Sequence, residues 1–237
     1  KGHFQGHVAL EPDDLPADNY RYFTARVHEQ VDVLVINGAP SVIPYKDGAF
    51  FLRLALEGKT PGGKRLSPIN PKVIQPHELQ SVRLSDYACV VLANVARVND
   101  RMASGLGGYV SGGGGLLIFL GDNVDPASYN MSIGASAAST TREVSADASQ
   151  TGVSETGGLQ LLPANLGGLK KPDEQSGFFH IWNVNSRHPI LRDILDELDL
   201  KNAQIKRFFP LDHSRREGQG GVSIIELDAG PLLVEHK

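Results

Sequence analysis

The chain has 237 residues, a formal net charge of −4, 41% hydrophobic and 21% charged residues, and an isoelectric point near 6.1. This is the composition of a soluble globular protein with enough apolar material for a core, and it gives no electrostatic case for nucleic acid or an anionic membrane. One cysteine, Cys89, excludes an internal disulfide and a metal site built from cysteines alone.

No apolar run approaches the roughly 18–20 residues that span a bilayer, so direct membrane insertion by this segment is not expected. The chain opens on Lys1 rather than Met, and Pro231 to Lys237 reads as a strand that has just begun. A piece of a longer protein is therefore expected.

Residues 1–28 predict a β-hairpin. Positions 6–10 alternate apolar and polar, positions 20–27 are rich in aromatic and β-forming residues, and 11–19 supply turn chemistry. A lone hairpin is marginal in water, so it is read as the tail of a preceding β-rich domain. From residue 29 to 237 a single α/β domain is expected. Residues 31–36 form a continuous apolar strand of the kind covered on both faces in a parallel sheet. A helix follows over 49–56, with Asp47 as cap and Gly58 as stop. Strands are predicted at 72–75 and 87–93. A helix from Asn99 or Asp100 then buries Met102, Leu106, Tyr109 and Val110 at helical spacing, and a fourth strand runs over 116–120. This succession argues for a doubly wound sheet.

Residues 134–158 are mostly Ser, Ala, Thr and Gly and read as a flexible insertion. Order is expected again at 159–164 and 178–182. His188 and Pro189 open a helix whose apolar face is Ile190, Leu191, Ile194, Leu195 and Leu198. Residues 203–209 and 222–227 are predicted as strands that close the sheet.

The fourth strand runs into a Gly turn, Gly121-Asp122-Asn123. In class I glutamine amidotransferases a sharp elbow of this kind presents a nucleophilic Cys, which a His deprotonates and an acid orients. Here the corner offers Asp122 and Asn123, neither of which forms a thioester. Cys89 lies inside the third strand as a core thiol, and His180, His188, His213 and His236 stand in no His-x-Glu pattern. Asn37, Asn94, Asp122 and Asp125 fall together on the carboxyl edge of the strands, where open α/β sheets bind ligands; the same residue types also cap helices and make turns. Trp182 and Tyr129 are the aromatic candidates to wall a cleft there.

No cofactor and no metal are predicted. Gly112 to Gly115 follow a helix and open a strand, the reverse of a phosphate-cradling loop. Glu11, Asp13, Asp14 and Asp18 lack the spacing of a calcium loop.

Several segments carry a resemblance: Leu15-Pro-Ala-Asp-Asn-Tyr-Arg-Tyr22, Val33-Leu-Val-Ile-Asn-Gly38, Ser67-Pro-Ile-Asn-Pro-Lys-Val-Ile74, residues 87–95, Tyr109 through Gly121, Tyr129-Asn130 and Leu161-Leu-Pro-Ala-Asn-Leu-Gly167. Together they resemble the glutamine amidotransferase-like domain of BatA-type membrane proteins that carry von Willebrand A domains in Planctomycetes and related bacteria. The resemblance implies a three-layer, flavodoxin-like domain of a bacterial membrane-anchored protein, with transmembrane helices and a von Willebrand A domain upstream; the periplasmic side of the membrane is favoured. It implies no activity of its own. The expected function is a non-catalytic module that binds a protein partner or neighbouring domains of the same chain. The alternatives are a hydrolase or transferase acting at Asp122, and a site for a small ligand or carbohydrate at the strand edge.

Overall fold

A computed structural model describes residues 2–11, 18–27, 29–58, 62–63, 66–134, 160–174, 176–194, 200–212 and 221–236. The predicted insertion and residues 195–199 of the helix expected after His188 lie outside these residues, apart from Gly134.

The N-terminal hairpin consists of β1 (Gly2–Ala9) and β2 (Tyr20–Val27) in antiparallel register from Gly2 opposite Val27 to Ala9 opposite Tyr20. The first strand begins four residues earlier than the alternation suggested. Because facing residues share a side of the ribbon, Phe4, Val8, Phe23 and Val27 project from one face, and all four are exposed.

The central element is a four-stranded, all-parallel sheet in the order β4-β3-β5-β6, formed by β3 (Val31–Asn37), β4 (Ile69–Ile74), β5 (Cys89–Ala93) and β6 (Gly115–Phe119). Strands β3 and β5 are read easily because both their faces are buried. Leu34, Ile36, Val90 and Leu92 point into one apolar cluster with Met102, Leu106 and Tyr129. Val33, Val35, Val91 and Ala93 point into another with Leu52 and Leu56. Pro71 lies within β4 rather than before it, which an edge strand tolerates because the lost N–H can face outward.

Helix α1 (Phe50–Glu57) supplies Leu52 and Leu56 to the second cluster and ends on Gly58, whose φ of 49° closes the last turn. Helix α2 (Asp100–Ser111) supplies Met102 and Leu106 to the first. Its N-cap is Asn99, whose side chain accepts from the Met102 amide at 2.9 Å. Gly112 to Gly115 then end α2 and open β6. Helix α3 (Pro126–Ser132) follows, capped by Asp125.

The C-terminal third corrects the expectation that its strands close the parallel sheet. β7 (Asn165–Leu166) pairs only with β9 (Leu211–Asp212). β8 (Ile181–Val184), β10 (Val222–Leu227) and β11 (Gly230–Glu235) form a separate antiparallel sheet in the order β11-β10-β8. The turn at Asp228 and Ala229 folds β11 directly back on β10, so their pairing is local and antiparallel. Residues 203–209 contribute isolated bridges at Ile205 and Phe208 rather than a strand. The fold is thus mixed α/β, parallel in its four-stranded sheet and antiparallel elsewhere. Helix α4 (Pro189–Arg192) is capped by His188, whose Nδ1 accepts from the Ile190 amide while Nε2 meets Glu235 at 3.3 Å. Among the described residues no helix is long and apolar enough to cross a membrane.

Candidate functional site

The chain leaves β3 to one side to form β4 and returns to the other side to form β5, so the carboxyl ends of β3 and β5 flank a point where strand order reverses. Open α/β sheets place their binding crevices there. The two ends are pressed together: the Gly38 amide donates to the Ala93 carbonyl at 2.9 Å, and a Cβ on Gly38 would overlap the Asn94 carbonyl oxygen. Asn94 itself has φ of 50°, the sole positive value among the described non-glycine residues. The strained strand-end backbone characteristic of an elbow therefore falls at Asn94, after β5, and not at Asp122 or Asn123 after β6.

The edge between β5 and β6 is closed by its own hydrogen bonds. Asn94 Oδ1 accepts from the Asn123 amide at 3.0 Å, its side chain filling the space that a Cβ on Gly121 would need. The Val95 carbonyl accepts from the Tyr129 hydroxyl at 2.8 Å, and the Ala96 carbonyl accepts from the Asp125 amide at 2.9 Å. Ser128 bonds both the amide and the carbonyl of Val98. Asp125 caps α3 through the Ala127 amide and meets Arg97 at 3.3 Å. Asp122 points outward, its side chain 65% exposed, and is held by Arg207 Nη1 at 2.6 Å. Its hydrogen-bond partner among the described residues is thus a guanidinium, which cannot act as a base.

Neither aromatic candidate walls a cleft here. Tyr129 is fully buried in the core, and burial pushes its hydroxyl's pKa up. Trp182 lies on β8 and is largely exposed. Burial also raises the pKa of the Cys89 thiol, which disfavours the nucleophilic thiolate.

An open cleft of about 240 Å³ lies on the other side of β3. It is lined by Asn37, Ser41, Val42, Pro44, Asp47, Ala49, Phe50, Arg53 and Val73. Asn37, only 3% exposed, donates through Nδ2 to both oxygens of Asp47, at 3.0 and 2.9 Å, and accepts from the Ala39 amide through Oδ1. Asp47 also accepts from the amides of Ser41 at 3.1 Å and Ala49 at 2.9 Å. It is not the helix cap: Ala49 holds that position, and Asp47 takes the cap residue's amide. Burial alone would raise the Asp47 pKa, but hydrogen bonds from Ser41, Ala49 and Asn37 and the charge of Arg53 outweigh it and hold the carboxyl below its ordinary value.

Of the four edge residues, Asn37 lines this cleft, whereas Asn94, Asp122 and Asp125 are consumed in the neighbouring network. Ser41, Asp47 and Arg53 are the residues that sequence reasoning missed. Their signal was an Asn and an Asp bracketing a loop with two prolines, a pattern that ties one strand end to one helix start. Among the described residues no cluster of three or more His, Cys, Asp or Glu could hold a metal ion. No family profile, curated protein or solved structure matches this chain.

Proposed function

We propose that this chain is a non-catalytic, amidotransferase-like module that works by binding a protein partner or a neighbouring domain. The observation that carries the proposal is the Asp122–Arg207 pair: the carboxylate at the turn after β6 is turned to solvent and bound by a guanidinium at 2.6 Å. The bond occupies one oxygen, and a carboxylate used as nucleophile or base also needs donors held in place to stabilise the charge that develops on the substrate. The surrounding amides that could supply that stabilisation are already donating to Asn94 and Ala96.

The same reading takes the parallel sheet, with apolar clusters on both of its faces, as the core of a three-layer, doubly wound, flavodoxin-like domain. The sequence resemblance supports placing that domain in a bacterial membrane-anchored protein of the BatA type, on the periplasmic side. The N-terminal hairpin then belongs to the preceding β-rich domain, in keeping with its exposed apolar face.

Photocrosslinking in the source cell tests the binding function. Benzoylphenylalanine is placed in the full-length protein at Tyr45 on the loop before α1, at Tyr22 on the hairpin and at Met131 on α3, all of them exposed. At least one position is expected to yield a discrete adduct, either with another polypeptide or with a second segment of the same chain. Absence of adducts from all three surfaces contradicts the proposal.

A further inference from the structure

The cleft beside α1 has a chemical character that narrows its occupant. Asp47 stays ionised, but its two oxygens already accept four hydrogen bonds, two from Asn37 and one each from the amides of Ser41 and Ala49. Two oxygens offer about four lone-pair sites, so none is left for a ligand's donor. Arg53 also lines the cleft and is exposed; its charge acts on Asp47, but its guanidinium makes no hydrogen bond with another described residue. Lys46 stands exposed on the same loop. Lys46 and Arg53 together outweigh the single charge of Asp47, and Arg53 offers its charge in the planar, forked form that pairs with a carboxylate through two parallel bonds.

Apolar side chains surround that charge. Phe50 and Val73 line the cleft. Val42 also lines it and is 99% exposed, and Ile43 and Tyr45, its neighbours on the same loop, are 37% and 67% exposed. Exposed apolar groups gathered on one loop offer surface that a partner can cover. The open cleft of about 240 Å³ falls below the roughly 300–1,000 Å³ of ordinary small-molecule sites, whereas the exposed apolar side chains continue along the loop beyond it. That combination suits one or two inserted side chains of a larger partner whose backbone crosses the loop.

We infer that the cleft formed by loop 39–47 and α1 receives a polypeptide segment presenting a carboxylate side chain next to an apolar one, with Arg53 reading the carboxylate. The inference rests on the binding function proposed above and assigns it a location and a charge preference.

The test is a titration of the isotopically labelled chain, followed by amide NMR shifts. The probes are a blocked hexapeptide alternating phenylalanine and glutamate, its glutamine analogue, and free 3-phenylpropionate. The glutamate peptide is expected to shift the amides of Ser41, Asp47, Gly48 and Ala49 and to bind about tenfold or more tightly than the glutamine peptide, the margin of a charge-assisted bidentate contact. Arg53→Gln, an exposed substitution that leaves the fold's spectrum unchanged, is expected to erase that preference so that both peptides bind alike. Equal binding of the two peptides to the unsubstituted chain overturns the inference, as does an absence of shifts at millimolar peptide. Binding of 3-phenylpropionate as tight as that of the peptide also overturns it, in favour of a small acid. Shifts confined to the hairpin or to α3 overturn the location while leaving the binding function standing. Turnover of a substrate that depends on Asp122 instead defeats the binding function itself.

Discussion

Asn37 at the end of β3 donates through one amide nitrogen to both carboxylate oxygens of Asp47, at 3.0 and 2.9 Å. That contact joins residues ten positions apart and closes the loop between them, and the amides of Ser41 and Ala49 bond to the same carboxylate. Replacing Asn37 by Ala leaves Asp47 short of donors in a half-buried place. The expected cost is about 1–3 kcal/mol, read as a fall of roughly 2–4 °C in Tm per kcal/mol for a chain of this size. Equal melting of the two proteins would show that the contact does not hold the loop.

The same carboxylate gives a pH dependence with a definite sign. Its folded pKa lies below the ordinary value of 3.8, so the folded state binds this proton less readily than the unfolded chain. The stabilisation is fully present above about pH 4 and is lost as pH falls through the folded value. Acid unfolding of Asp47→Asn is therefore expected to be less steep below about pH 4 than that of the unsubstituted chain. Parallel acid transitions in the two proteins would contradict the assignment.

Gly38 is where β3 and β5 come closest. A methyl group there overlaps the carbonyl oxygen of Asn94 and the Cα of Val95, so Gly38→Ala must part the two strand ends or move Asn94 out of its φ of 50°. Destabilisation of about 2–4 kcal/mol is expected by chemical denaturation. A change under about 0.5 kcal/mol, the range of ordinary surface substitutions, would mean that the strand ends are not packed as described.

Tyr129 is expected to matter as a core residue. Tyr129→Phe removes the bond to the Val95 carbonyl at a cost of about 1–2 kcal/mol. Because burial raises its folded pKa, its contribution is complete below the unfolded value of about 10 and fades as pH rises beyond it. The phenylalanine variant should accordingly lose less stability between neutral and strongly alkaline pH, as measured by urea unfolding at each pH.

The parallel sheet was legible because its central strands are buried on both faces and appear as apolar runs at 33–36 and 87–93. Helix α2 was legible from the spacing of Met102 and Leu106 and from Asn99 before them. In the C-terminal third β10 is recognisable as a strand, but not its partner, and residues 203–209 form only isolated bridges. Pairing of β10 with β8 joins residues about 40 positions apart, such as Glu226 with Asn183, and nothing local encodes it. The strand-edge polar residues were found by type, but whether each faces solvent, ligand or a neighbour depends on tertiary contacts. Asn94 and Asp125 look alike as sequence, and so do Asp47 and Asp122; bond networks formed only on folding make Asp47 part of the cleft and leave Asp122 in an exposed ion pair. Tyr129 is a candidate for a cleft wall in the sequence because tyrosine serves in cores and in sites, and only its burial decides between them.

The proposed lack of chemistry at the turn after β6 can be checked by measuring ammonia release from glutamine and hydrolysis of 4-nitrophenyl acetate by the unsubstituted chain and by Asp122→Ala. The expected result is buffer-level turnover for both proteins. Stability should change by no more than about 1 kcal/mol, because the pair that is lost is exposed. Turnover by the unsubstituted chain that disappears in Asp122→Ala would contradict the account.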